Sequence, residues 1–440
     1  MDDAVYQYQH ARSPKELLFQ FTRCMVHFAV DDAQVKFCTR LQGKESWFLP
    51  FNKGYKDGAG NPPNPDGLMT DYLWKQVLTK DMLSRIIENY ATLVEEKDEE
   101  TGKTRYKQIF PRYHQLTAVE SLLADVKKNG VGNRYLIQHS AGSGKSNSIA
   151  WLAHQLTGLE DAQGNLLVDS VIVVTDRVVL DKQIRDTIRQ FAQTRNIIAW
   201  AEHSGDLRKA IEDGRRIIIT TIGKFPYVLP EIGEDHKDRH FDIIIDEAHS
   251  SQNGKTAGTM NMTLSAIMSD PDMDNEDKIN AMCEGKKLLT NASYFAFTAT
   301  PKNKTLETFG TAYEDAGVIK HRPFHVYTMK QAIQEGFILD VLKYYTPIDS
   351  YYRLKKTVED DPMFDKKKAQ KKLRAFVENQ TFTIAQKADM MVSHFHEQVI
   401  AKGKIGGQAR AMIITSSIER CIEYYHAVNK CLANRHSPYK

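Results

Sequence analysis

Apolar residues fall into two rhythms along this chain. Between residues 109 and 323, short apolar runs alternate with stretches of helical spacing, and the runs at 135–139, 170–175, 197–202, 216–220, 241–246 and 294–298 predict strands. Most of these runs are continuously apolar, the pattern of strands buried on both faces, so the expected fold class is α/β: a parallel sheet wrapped by helices. Each run ends in polar residues at its carboxyl side, where open α/β sheets place ligands. Upstream, the apolar-rich run 16–32 and the segments 34–40 and 46–51 suggest strands, and 52–67 reads as a Gly/Pro/Asn loop. Residues 72–91 carry helical spacing through Leu73, Val77, Leu83, Ile86 and Ile87, and 95–107 reads as a charged, solvated linker. Downstream, 327–339 and 383–402 predict helices, 349–380 a charged and solvated helical face, and 411–416 the first strand of another α/β unit. The expected boundaries are 1–105, 106–325, 326–405 and 406–440.

The first predicted strand breaks into His139-Ser-Ala-Gly-Ser-Gly-Lys-Ser146. This is the pattern of a phosphate loop: Gly142 and Gly144 let backbone N–H groups curl toward an anion, and the following helix points its positive end at the same place. Ser140, Ala141 and Ser143 complete the cradle. Lys145 reaches the β- and γ-phosphates, and the Ser146 hydroxyl holds Mg²⁺. The pattern G-x-x-x-x-G-K-[ST] is met except at its first position, where His139 replaces glycine.

A glycine-rich turn alone could be structural. The second half of the site is Phe241-Asp-Ile-Ile-Ile-Asp-Glu-Ala-His249, which sets Asp246 and Glu247 just beyond a buried-type strand. Asp246 can hold the magnesium water shell, and Glu247 can polarise the water that attacks the γ-phosphate. His249 either couples this site to neighbouring motifs or is a satisfied polar residue at a strand end.

Composition bounds the class without naming partners. At 440 residues there is room for two or three domains, and a net charge of +3 is too small to argue for nucleic acid by itself. Five cysteines without a C-x-x-C pair fit reduced thiols in a cytoplasmic protein, and no apolar run approaches the roughly 20 residues that span a bilayer.

Taken in order, these motifs resemble those of superfamily-2 helicases and translocases, specifically the motor (R) subunits of type I restriction-modification enzymes. Ile109-Phe-Pro-Arg-Tyr-His-Gln115 resembles the glutamine element upstream of the phosphate loop. The resemblance implies that Gln115, with Arg112 beside it, meets the nucleotide, the glutamine amide reading adenine. Histidine at the head of the loop is similar to the R-subunit form. Val174-Thr-Asp-Arg177 and Ile219-Thr-Thr-Ile-Gly-Lys224 look like motifs that line the tracked strand in relatives; Arg177, Thr220, Thr221 and Lys224 are the candidate DNA contacts, touching phosphates without reading bases. Helix caps and turn residues are the alternative for each. Phe297-Thr-Ala-Thr-Pro301 is similar to the motif that couples hydrolysis to domain movement, through Thr298 and Thr300, and Lys302–Gly310 and Tyr327–Asp340 look distinctive for R subunits.

The implied fold is a RecA-like ATPase domain preceded by an α+β remnant of the nuclease-side region and followed by a helical linker and the start of a second RecA-like domain. The implied cofactors are ATP and Mg²⁺. The implied partners are double-stranded DNA and the methyltransferase and specificity subunits, with no membrane. The implied activity is ATP-driven translocation before cleavage of unmodified DNA. No nuclease motif is recognised, Tyr6-Gln-Tyr8 being the nearest to a flanking element, and the arginine motif of the second domain is not found, so the expectation is a chain that binds Mg-ATP but hydrolyses it poorly. Competing readings are another superfamily-2 motor, a nucleotide-dependent switch, and an independent interaction module at 1–105.

Overall fold

The computed structural model describes residues 1–97, 102, 104–175, 187–188, 198–201, 203–221, 236–246, 291–340, 381–401 and 411–437. The chain divides after Asp340 into two compact units. In the first, chain order is α1 (Asp2–Tyr6), β1 (His27–Val30), β2 (Val35–Cys38), β3 (Leu49–Pro50), α2 (Lys80–Asn89), β4 (Thr92–Lys97), β5 (Thr104–Ile109) and α3 (Tyr113–Asn129). There follow β6 (Arg134–His139), α4 (Lys145–Thr157), β7 (Ser170–Thr175), β8 (Ile198–Trp200), α5 (Ser204–Glu212), β9 (Ile217–Thr221), β10 (Phe241–Ile245) and β11 (Ala292–Thr298). The unit closes with α6 (Asn303–Phe309), β12 (Thr311–Asp315), β13 (Val318–Arg322), β14 (His325–Tyr327) and α7 (Met329–Gln334).

Seven strands form one sheet in the order β14-β6-β11-β10-β7-β9-β8, with every pairing parallel. This is the RecA-like α/β architecture. Side chains alternate across its two faces. On one face Ile137, Val171, Val173, Ile219 and Ile244 pack with α3 and α4 residues such as Val119 and Trp151; on the other, Leu136, Ile172, Val174, Ile218 and Ile243 pack with Leu207 and Ile211 of α5. All strands point the same way, so their carboxyl ends share one edge.

The first hundred residues share the core of the sheet. Phe37 and Phe51 lie against Phe110, at ring-centroid distances of 5.6 and 6.3 Å, and Phe51 meets Tyr113 edge-on at 5.7 Å. The Trp151 indole N–H of α4 donates to the Tyr90 carbonyl (3.1 Å), and the Tyr90 hydroxyl donates to Glu120 of α3 (2.6 Å). Of the aromatic segment 47–51, Phe51 is fully buried while Trp47 remains 74% exposed.

Several expectations need correction. The charged stretch 95–107 forms, with its neighbours, the antiparallel hairpin β4–β5 (residues 98–101 and 103 lie outside the described ones). A two-stranded ribbon with solvent around it can carry charge on both faces, which is why it reads as a linker. The helix expected over 327–339 is only Met329–Gln334, stopped at Gly336 with φ 79°, because Tyr327 belongs to edge strand β14. The helix expected over 72–91 breaks at Leu78, into Leu73–Val77 with wide turns and α2, which Thr79 caps. The hairpin β12–β13 was not expected; Ala316 and Gly317, both with positive φ, make the two-residue turn that suits it.

In the described part of the second unit, α8 (Thr381–His394) packs against α9 (Ile418–Asn434) through a stripe that includes Ile384, Ala388 and Val392. Arg435 bonds Asp389 and Ser393 of α8 at 2.7 and 2.6 Å. Residues 411–416, expected as a strand, form none: a strand needs a neighbour for its backbone groups, and none pairs with them among the described residues. The charged segment 349–380 lies outside the described residues. No helix among the described residues is long and apolar enough to cross a membrane.

The core of the sheet holds an ionisable residue. Asp242 on β10 sits beside Ser293 of β11 and is fully buried, and burial raises its pKa to about 7, with Ser293 acting in the opposite sense. An unfolded aspartate releases its proton around pH 4. Folding therefore takes up a proton between those values, and the stabilisation, complete below pH 4, is lost as pH rises through 7. Asp242→Asn should flatten this decline and raise the stability at pH 8, by on the order of a few kcal/mol at most, with a higher thermal midpoint. Thermal denaturation of both proteins from pH 5 to 8 checks it; parallel curves would rule out a buried titrating carboxyl.

Candidate nucleotide site

Strand β6 ends at His139, and after five intervening residues α4 begins at Lys145. A buried strand feeding a helix leaves the connecting turn with polar main-chain groups that neither element satisfies. Gly142 and Gly144 both adopt left-handed backbone, with φ 73° and 77°, and Gly144 caps α4. A Cβ at Gly144 would stand 2.5 Å from the Gln115 amide nitrogen, and one at Gly142 would stand 3.2 Å from Ile338 and 3.3 Å from the Phe337 Cβ. Both positions require glycine for conformation and for space.

Behind the loop lies the amino end of α3. Arg112 donates from its guanidinium to the Gly142 carbonyl (2.7 Å), His114 from Nε2 to the Ser143 carbonyl (3.0 Å), and Gln115 from Nε2 to the Gly144 carbonyl (2.9 Å). The Gln115 side-chain oxygen accepts from the Arg112 backbone N–H (2.9 Å), so the glutamine also closes the first turn of α3. Arg112, His114 and Gln115 are 7%, 5% and 3% exposed. The glutamine expected to read adenine thus has both ends of its amide on main chain.

Arg112 is itself held. Its guanidinium lies over the Phe337 ring at 4.1 Å and the Tyr327 ring at 5.7 Å. Burial lowers its pKa, and Tyr327 and Glu335 oppose the shift. The Tyr327 hydroxyl donates to Glu335 (2.7 Å), whose other oxygen accepts from Gln331 (2.9 Å).

His139, the residue that departs from the loop pattern, is buried among rings. Its Nε2 lies 2.9 Å from His325 Nδ1 on β14, and His325 Nε2 lies 3.2 Å from the Thr117 hydroxyl. His114 meets His139 edge-on at 5.4 Å and stacks on Tyr327 at 3.8 Å. Burial drives the pKa of all three histidines down, that of His325 to about 4, so the cluster is neutral at pH 7. A neutral imidazole can donate from one nitrogen and accept at the other, as a pair of abutting histidines requires.

The remaining candidates divide. Lys145 and Ser146 open α4 half-buried, and the Lys145 ammonium donates to the His139 carbonyl (3.4 Å). Ser140 and Ser143 are buried; Ala141 is exposed. Asp246 follows β10, 4% exposed, with its backbone N–H donating to Val174 (2.9 Å). Since β11 alone separates β6 from β10, the loop and Asp246 leave the same sheet edge about 10 Å apart at the main chain. Thr298 ends the intervening β11, fully buried, and Thr300 beyond it is exposed. On β9, Thr220 is 1% exposed and turned into the fold, whereas Thr221 is partly open. Glu247, His249, Arg177 and Lys224 lie outside the described residues. Sequence reasoning gave no role to His114, Tyr327 and Phe337, although each lies in a segment it singled out, and it missed His325; all four support the loop from other elements.

The donor set suits a nucleotide with magnesium. Ser146 and Asp246 offer hard oxygens, and the loop offers a glycine-shaped concavity heading a thirteen-residue helix.

The family model for SWI2/SNF2 ATPases matches residues 114–375. The C-terminal part of a putative type I restriction enzyme endonuclease subunit from Mycoplasma pneumoniae is 31% identical over 159 residues, covering 33% of this chain and 73% of that one. A type I restriction enzyme endonuclease subunit of Staphylococcus aureus (strain MSSA476) is 27% identical over 235 residues, 52% of this chain. The match spans only 21% of that relative. Among solved structures, a fragment of a putative HsdR subunit of a type I restriction enzyme from Vibrio vulnificus YJ016 aligns over 93% of this chain and 68% of its own, at 14% identity and a TM-score of 0.41. The chain belongs to the SWI2/SNF2 ATPase family and, within it, to the endonuclease-subunit motors of type I restriction enzymes.

Proposed function

We propose that this chain binds Mg-ATP at the loop between β6 and α4, and that it is the ATP-driven double-stranded DNA translocase part of a type I restriction R subunit. In that setting methyltransferase and specificity subunits select the DNA, and translocation precedes cleavage. The observation that carries the reading is the pairing of a left-handed glycine cradle at the head of α4 with a buried carboxylate on the same sheet edge. Lys145 supplies positive charge to the β- and γ-phosphates, and the α4 amino end adds its dipole. Ser146 and Asp246 hold the magnesium ion, which when bound offsets phosphate charge. Glu247, next in sequence, orients the attacking water. Thr221, Arg177 and Lys224 are the candidate phosphate contacts on DNA, and Thr298, Thr300 and His249 the coupling residues.

Calorimetry with a non-hydrolysable ATP analogue tests the site. Lys145→Ala should weaken Mg-dependent binding by about tenfold or more, the scale of one charge-assisted contact. Undiminished binding would exclude this loop as the phosphate site. Magnesium dependence is a separate measurement: Asp246→Asn should bring the affinities with and without Mg²⁺ together, and a full magnesium effect in that variant would remove Asp246 from the metal site.

A further inference from the structure

The three donors behind the loop have a consequence for what the site recognises. In a trans peptide, the carbonyl of one residue and the N–H of the next point in opposite directions, and no peptide bond among the described residues is cis. Holding the Ser143 and Gly144 carbonyls against His114 and Gln115 therefore turns the N–H groups of Gly144 and Lys145 to the other side, the side on which an anion would lie. The Gly142 carbonyl, held by Arg112, fixes the peptide whose N–H closes a turn on Ser140 (3.2 Å).

We propose that Arg112, His114 and Gln115 are positioning residues that set the phosphate loop from behind, so that they govern nucleotide affinity through the phosphates and not through recognition of the base. The proposal rests on the reading of this loop as a triphosphate site. Three further observations support it. All three side chains are buried, with at most 7% of their surface exposed. Gln115 is occupied at both ends, by the Gly144 carbonyl and the Arg112 N–H. Arg112 is stacked on Phe337 and faces the loop carbonyl, a geometry that immobilises a guanidinium in the way a support requires.

Inorganic tripolyphosphate, which has no base, separates the two roles. Binding of Mg-tripolyphosphate and of Mg-bound ATP and GTP analogues to the whole 440-residue chain would be measured by calorimetry, with Arg112→Met and Gln115→Met as the variants. Both variants should lose roughly tenfold or more in affinity for all three ligands together, leaving the ATP-to-GTP ratio as in the unsubstituted protein. His114 supplies a milder pair. His114→Gln keeps a donor toward the Ser143 carbonyl and should retain tripolyphosphate affinity, whereas His114→Phe keeps only the stack on Tyr327 and should lose it.

If tripolyphosphate binds the variants as well as the original chain while the ATP analogue weakens, or if the ATP-to-GTP ratio collapses, the residues read the base and the proposal fails. The same holds if His114→Phe and His114→Gln bind alike. Binding of neither ATP analogue nor tripolyphosphate by the unsubstituted chain would overturn the nucleotide-site reading as well, so the two failures are distinguishable.

Discussion

A tight turn between a buried strand and a buried helix has to find partners for its carbonyls, and the loop after His139 faces three of them toward side chains at the amino end of α3, the Gly144 carbonyl being shared with backbone N–H groups of α4. Much of the first unit serves that arrangement. Helix α3 has to begin where Arg112, His114 and Gln115 face the turn, and Gln115 closes the helix's own first turn while doing so. Phe337, Tyr327 and Glu335 then hold Arg112, and β14 brings His325 against His139. Most buried polar groups need a partner, so a loop built this way draws in residues from many points along the chain.

The same economy explains why the first hundred residues belong with the motor. Phe37, Phe51 and Tyr90 complete the cover over α3 and α4, and the Trp151 N–H donates to the Tyr90 carbonyl. A large aromatic in a core requires both apolar cover and a partner for its N–H. Those residues therefore support the face of the sheet that carries α3 and α4.

Much of this was legible from sequence where burial sets the pattern. The strand expected at 170–175 is Ser170–Thr175, and the other predicted strands of the sheet end within two residues of their observed limits, because two-sided burial keeps most positions inside a run apolar, Asp242 and Ser293 being exceptions. The failures have the opposite cause. β14 is three residues at a sheet edge, too short for a rhythm, and the β4–β5 ribbon has charge where a core strand would have valine. The apolar run 411–416 shows that composition offers a strand without supplying the neighbour that makes one. At the site, glycines and lysine announced the loop, but Gln115 did not announce its contacts: a primary amide fits a purine edge and a pair of main-chain groups equally well, and only the fold chooses between them. The roles of His114 and His325 were illegible because a single histidine has no spacing to betray its partners, even where, as at His114, it lies in a recognised element.

A Cβ added at Gly142 would stand 3.2 and 3.3 Å from the Ile338 and Phe337 side chains, and those residues stand just before Asp340, where the first unit ends. Close-packed atoms do not absorb a displacement; they pass it on. A side chain placed at Gly142, on the turn that would grip a phosphate, therefore has to be answered, by a few tenths of an ångström, in the last stretch of chain in this unit.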